Sequence, residues 1–280
     1  MIDKITNFID RLISDNLNKV KKLNRFITLL CLVFFIQFFN QKSIELTWDY
    51  RFLFSSFLIL IGYLFQSISW SFIISDKLEI KNILSWFNSI IGKYLPLKIG
   101  IPLLRMTDEN NSNNLDSKKY FTGILVEVLL QVFTAIIFIL VFFISEVSTF
   151  SYQFCLILYF LMLFGYYLIY KGKYTILIIT NTLSYLFFLM SVVFSGFILY
   201  QVPNVEIGIA YILTSVISLL FVGSPAGLGI REYLFILLFQ SNPNFVSINF
   251  LEFLIYIRLV FIFSDIFSYL VGRLTKFLNI

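Results

Sequence analysis

The chain has 280 residues, 59% of them hydrophobic and 13% charged, with a formal charge of +5. An ordinary soluble domain carries roughly a quarter charged residues, so this balance excludes one; apolar runs close to the ~20 residues that cross a bilayer recur along the whole length. The sequence contains no histidine, which excludes histidine metal sites, histidine bases and Ser-His-Asp triads.

Residues 1–25 read as a cytoplasmic amphipathic segment. Ile2, Ile5, Ile9, Leu12, Ile13, Leu17 and Val20 recur near helical spacing with Lys and Asp between them, the pattern of a helix lying on a membrane surface. No small-x-small cleavage site follows the first apolar run, so it is not read as a cleaved signal. From there the chain reads as one transmembrane domain, 26–272, because the longest polar block, Thr107 to Lys119, is only a loop.

Hydropathy predicts six full spans, at about 26–41, 52–74, 120–144, 151–170, 174–200 and 249–271. Cys31 and Cys155 both fall within these spans and have neither metal-site spacing nor a disulfide pattern. Two further apolar regions, 83–106 and about 207–240, are interrupted by Pro and Gly. They are predicted to be re-entrant broken-helix hairpins that enter the membrane and return. Charge placement supports this. With a cytoplasmic N-terminus, fifteen Lys and Arg residues, among them Lys77, Lys81, Arg105, Lys118, Lys119, Lys171, Lys173 and Arg273, fall inside; only Lys42 and Arg51 fall outside. A full crossing by either irregular region would flip every later loop. Both termini are therefore placed in the cytoplasm and the protein in the cell inner (plasma) membrane.

The two irregular regions share P-x-x-x-G-I, at Pro96 to Ile101 and Pro225 to Ile230, 129 residues apart. The same offset carries each span of 26–144 onto the start of a span of 151–271. With three spans in the first half, the second half starts on the opposite side, which is an inverted-topology repeat. The predicted fold is thus all-α and integral to the membrane: six full helices plus two re-entrant hairpins.

Broken helix at membrane depth is tolerated where protein buries it or where it lines a polar cavity. Gly227 and Gly229 allow close approach to the main chain, and a helix starting near Ile230 presents unpaired N–H groups and a positive dipole. Arg231 adds a fixed, bidentate cation. The other hairpin brings Lys93, Lys98 and Arg105. Lys98, Arg105, Gly227, Gly229, Arg231 and Arg258 are therefore the candidate headgroup-binding residues, with Glu127 and Glu232 as counter-charges. The repeat maps Glu127 close to Arg258, which predicts an ion pair between them. Glu252 and Asp265 add to the ionisable groups that suggest a polar cavity; the alternative for Asp265 is a bond to a neighbouring serine such as Ser264 or Ser268, and Tyr and Trp are read mostly as belt and packing. No metal, cofactor or catalytic residue is assigned.

These residues resemble a known family, the lysylphosphatidylglycerol synthase transmembrane, or flippase-like, domain proteins. The resemblance rests on Pro225-Ala-Gly-Leu-Gly-Ile-Arg-Glu232, Lys93-Tyr-Leu-Pro-Leu-Lys98, Arg105, Glu127 and Arg258. Ala226 and Leu97 stand where that family usually has glycine. The resemblance implies handling or translocation of an anionic or polyprenyl-phosphate-linked lipid in envelope lipid or glycan biosynthesis, without covalent chemistry. It gives no support for aminoacyl transfer, because the soluble transferase domain of fused members has no counterpart here. Implied partners are the lipid, the membrane, envelope-biosynthesis enzymes or a second copy of the chain; nucleic acid is not among them. The alternatives are a non-transporting partner in an envelope-biosynthesis complex and a glycosyltransferase using a polyprenyl-phosphate sugar. The second needs a carboxylate base on an outer loop, where only Glu45 and Asp49 are available.

Overall fold

The computed structural model describes residues 50–94, 100–109, 117–147, 172–200, 205–220, 230–239 and 250–277. All regular structure among them is helical: α1 Tyr50–Ser75, α2 Ile80–Ser89 continued by a 3₁₀ turn Ile90–Tyr94, α3 Gly100–Glu109, α4 Ser117–Val147, α5 Lys173–Tyr200, α6 Val205–Leu220, α7 Ile230–Phe239 and α8 Phe250–Phe277. Among the described residues, four helices, α1, α4, α5 and α8, are long and apolar enough to cross a membrane. They coincide with four of the six predicted spans, as the chain's apolar content and bilayer thickness require. The spans at 26–41 and 151–170 and the amphipathic segment 1–25 lie outside the described residues.

The element order repeats. A long helix, a shorter one, a helix of ten residues and a second long helix make up α1–α4 and again α5–α8. The correspondence runs close to the 129-residue separation of Pro96 and Pro225. The most extensive interface joins the two equivalent first helices, α1 and α5. Its contacts pair Phe54 with Phe194, Ser55 with Ser191, and Phe65 with Phe187. As residue numbers rise in α1 they fall in α5, so the two run antiparallel.

Small residues let these backbones approach, as between helices in lipid generally. Ser191 Oγ donates to the Ser55 carbonyl at 2.9 Å and Ser195 Oγ to Ser55 Oγ at 3.3 Å. A Cβ at Gly62 would lie 2.4 Å from the Phe188 ring. The other long helices run alongside this pair. Phe52 meets Tyr256, Ser56 meets Ser264 and Tyr63 meets Asp265, so α1 and α8 run in the same direction. Asn181 meets Leu130 and Thr134, and Tyr185 meets Phe138, so α4 and α5 also run in the same direction. It follows that α1 is antiparallel to α4, and α5 to α8. The chain segments between each of these pairs begin and end at the same end of the bundle.

The first of those segments leaves α1 through a turn in which Asp76 takes a left-handed φ of 60°. Ser71 Oγ holds this turn, accepting from the Glu79 N–H at 2.7 Å and donating to the Lys77 carbonyl at 2.9 Å. The ammonium of Lys77, with that of Lys81, holds the partly buried Glu79 carboxyl below its usual range. The segment then folds into a helical hairpin. Ser89 faces Arg105 across the two arms, and Gly92 faces Gly100 and Ile101. The arms 80–94 and 100–109 therefore run antiparallel. A Cβ at Gly92 would stand 2.5 Å from the Gly100 carbonyl carbon and the Ile101 nitrogen. Main chain cannot move aside as a side chain can, so Gly92→Ala is expected to lower stability by about 1–3 kcal/mol, read as a fall in the unfolding midpoint in detergent. In the second half α6 and α7 pack together, with the Tyr211 ring 6.2 Å from that of Phe235.

Candidate functional site

Among the described residues three ion pairs lie between the short helices and the long ones, the first buried on both sides and the other two partly exposed. The first joins α3 to α4. Arg105 forms a two-pronged pair with Glu127, its Nη2 donating to Oε1 at 3.3 Å and its Nη1 bonding Oε2. Trp86 Nε1–H donates to Glu127 Oε1 at 2.7 Å, and Arg105 Nε donates to Ser89 Oγ at 2.9 Å. The guanidinium lies 3.9 Å over the Trp70 ring, a cation–π contact that strengthens when water is excluded. The Arg105 side chain is only 3% exposed.

The second pair joins α7 to α8. Arg258 Nε donates to Glu232 Oε1 at 2.8 Å, and Arg231 reaches the same oxygen at 3.5 Å. Glu232 occupies the first turn of α7, where the helix dipole favours a carboxylate. The Arg231 guanidinium lies 4.7 Å from the centre of the Tyr211 ring. Its Nε is buried and, among the described residues, meets no acceptor; the same holds for the Tyr211 hydroxyl.

These two sites are counterparts. In each half the ten-residue helix pairs with the long helix that follows it, and the charges are exchanged: arginine on α3 to glutamate on α4, glutamate on α7 to arginine on α8.

The third pair crosses between the halves. Lys93, in the 3₁₀ turn, contacts both Asp265 oxygens, at 2.7 and 2.6 Å. Tyr63 Oη donates to Oδ1 at 2.6 Å, and Tyr94 Oη bonds Oδ2. Asp265 is fully buried, whereas the Lys93 side chain is 26% exposed. Asp265 and Arg258 are seven residues apart on α8, hence on one face and about 10 Å apart along the axis. The second and third sites are thus neighbours, and the charges of Arg231 and Arg258 act on Lys93.

Several sequence expectations change. Glu127 does not pair with Arg258. The central interface is formed by α1 and α5 rather than by α4 and α8, so each residue finds its partner within its own half. Arg105, counted among the loop cations, is buried. Asp265 bonds neither Ser264 nor Ser268: Ser264 Oγ donates to the carbonyls of Ser56 and Val260, and Ser268 Oγ has no partner among the described residues. Arg231, Glu232 and Arg258 do come together. Lys98, Gly227 and Gly229 lie outside the described residues. Sequence reasoning placed Asp265 among the ionisable groups near the cavity but gave it no role in the site, and it missed Tyr63, Tyr94, Tyr211, Trp70 and Trp86. For Asp265 a signal existed, as the only charge between Leu259 and Gly272 in an apolar span. The aromatic residues carry no such mark among 16 Tyr and 35 Phe residues.

Among the described residues no group of His, Cys, Asp and Glu is arranged to hold a metal. Compared with protein-family models, with curated proteins and with solved structures, the chain matches none.

Proposed function

We propose that this membrane protein binds the anionic, phosphate-class headgroup of a lipid between two re-entrant hairpins, 80–109 and 205–239, and moves it across the bilayer while the tails stay in the apolar phase. The helix directions support this reading. If α1, α4, α5 and α8 span the membrane, both hairpins return to the side they leave, and antiparallel α1 and α5 are what an inverted repeat requires. Spans at 26–41 and 151–170, lipid transport and a place in the cell envelope belong to the same proposal.

One observation carries it: the polar core has a surplus of positive charge. Among the described residues Lys93, Arg105, Arg231 and Arg258 face Glu127, Glu232 and Asp265, four cations to three carboxylates. The surplus falls at Arg231, whose buried Nε and the nearby Tyr211 hydroxyl both lack a partner among the described residues. A buried donor left unpaired costs about 1–3 kcal/mol, and a phosphate oxygen would remove that cost. No bond-making step is assigned.

The test is a lipid-scrambling assay in liposomes carrying a panel of anionic and polyprenyl-phosphate lipids. The intact protein should move at least one of them, and the combined Arg231→Ala and Glu232→Ala variant should insert normally yet move none. Equal transport by that variant would remove the site from the mechanism.

A further inference from the structure

The Lys93–Asp265 pair is not required by the anion site just described, yet it ties the two halves together and adjoins that site. Its chemistry differs from that of Arg105–Glu127. Glu127 is held by a guanidinium and an indole N–H, which can only donate, so neither partner could accept from a protonated carboxyl. Asp265 is held by two phenol hydroxyls and an ammonium. A hydroxyl donates to a carboxylate and equally accepts from a carboxylic acid. The same shell therefore satisfies Asp265 in both protonation states.

We infer that Asp265 is a proton-binding site coupled to the anion site, with Lys93 as the moving link; this rests on the anion-binding reading above. Without anion, Arg231 and Arg258 repel the Lys93 ammonium and keep it against Asp265. An anion on Arg231 cancels that repulsion and offers the Lys93 ammonium a second negative partner. When Lys93 takes it, Asp265 is a carboxylate with no exposure to water and no cation beside it, a state costing several kcal/mol. It takes a proton from solvent onto one carboxyl oxygen, through the opening that leaves Lys93 partly exposed. One anion and one proton are thus bound together, which offers a proton gradient as the energy source for lipid movement.

Among the described residues the groups facing Asp265 are few. The hairpin brings Lys93 and Tyr94, α1 brings Tyr63, and Tyr211 of α6 lies within electrostatic reach. Of the other helices packed on α8, α5 has no charged residue between Tyr174 and Tyr200, and the one charge in α2, Lys81, pairs with Glu79.

The experiment is titration calorimetry of the full chain in detergent, in buffers of different ionisation enthalpy. The probes are inorganic sulfate and a short-chain phosphatidylglycerol, neither of which changes protonation near neutral pH. Wild type should take up as much as one proton per anion bound, and its affinity should weaken by up to about tenfold per pH unit as pH rises. Asp265→Asn should bind with no uptake and no such pH dependence. Lys93→Met, which leaves Asp265 neutral beforehand, should also lose uptake. Response to the lipid alone assigns the site to a headgroup; response to both assigns it to phosphate-class anions generally. Binding without uptake in wild type, or uptake retained in Asp265→Asn, overturns the coupling but leaves the anion site standing. If neither probe binds wild type, the anion site falls and the coupling with it.

Discussion

Glu127→Gln is expected to destabilise the protein by about 3–5 kcal/mol, the usual cost of stranding one member of a buried ion pair. The glutamine leaves Arg105 charged between Trp70, Trp86 and Ser89, where almost none of its side chain meets water. Arg105→Met should cost a similar amount, because Glu127 then keeps only the Trp86 bond. The double variant Arg105→Met with Glu127→Leu should be less damaging than either single change, since no charge is left unpaired. Denaturant unfolding in detergent, followed by tryptophan fluorescence, measures all three, with Trp70 and Trp86 reporting from the site itself. A Glu127→Gln cost below about 1 kcal/mol, typical of an exposed pair, would mean that this pair is open to water.

Arg231→Ala and Glu232→Gln are expected to move anion affinity in opposite directions. Removing Arg231 takes away the surplus cation and its charge-assisted donors, each worth about 1.5–3 kcal/mol. Affinity should fall by roughly 10- to 100-fold, at 1.4 kcal/mol per factor of ten. Removing the charge of Glu232 frees both arginines from their shared carboxylate, so the anion should bind more tightly. Lipid movement should nevertheless slow in both variants, for want of capture in one and of release in the other. Calorimetry with short-chain phosphatidylglycerol checks the affinities, and the liposome assay checks movement. A fall in affinity in both variants would show that Glu232 orients Arg231 and does not compete for it.

The candidate site was only partly legible in the sequence. Arg231 and Glu232 stood out because a charged pair follows a glycine-rich break in an apolar run, a combination that lipid penalises wherever protein does not enclose it. Arg258 was legible for the same reason. The Glu127–Arg258 pairing failed because the repeat offset makes α4 and α8 equivalent, and equivalence was taken for contact. In the structure the equivalents that touch are α1 and α5. The repeat instead shows itself as two separate pairs with exchanged charges. Asp265 was set aside because serines lie beside it in the sequence, whereas on a helix the neighbouring positions point to different sides.

Membrane residence and the approximate lengths and places of α1, α4, α5 and α8 were determined by the sequence alone. Each depends on local hydropathy, which any window of some twenty residues contains. The pairing of charges was decided only by tertiary structure. Partner choice depends on the rotation of each helix about its axis and on the direction in which it crosses its neighbours. Contacts between distant residues set both: Ser55 with Ser191, Gly62 with Phe188, Gly92 with Gly100. A turn of 100° per residue is enough to exchange one partner for another, and no local pattern specifies an angle that fine.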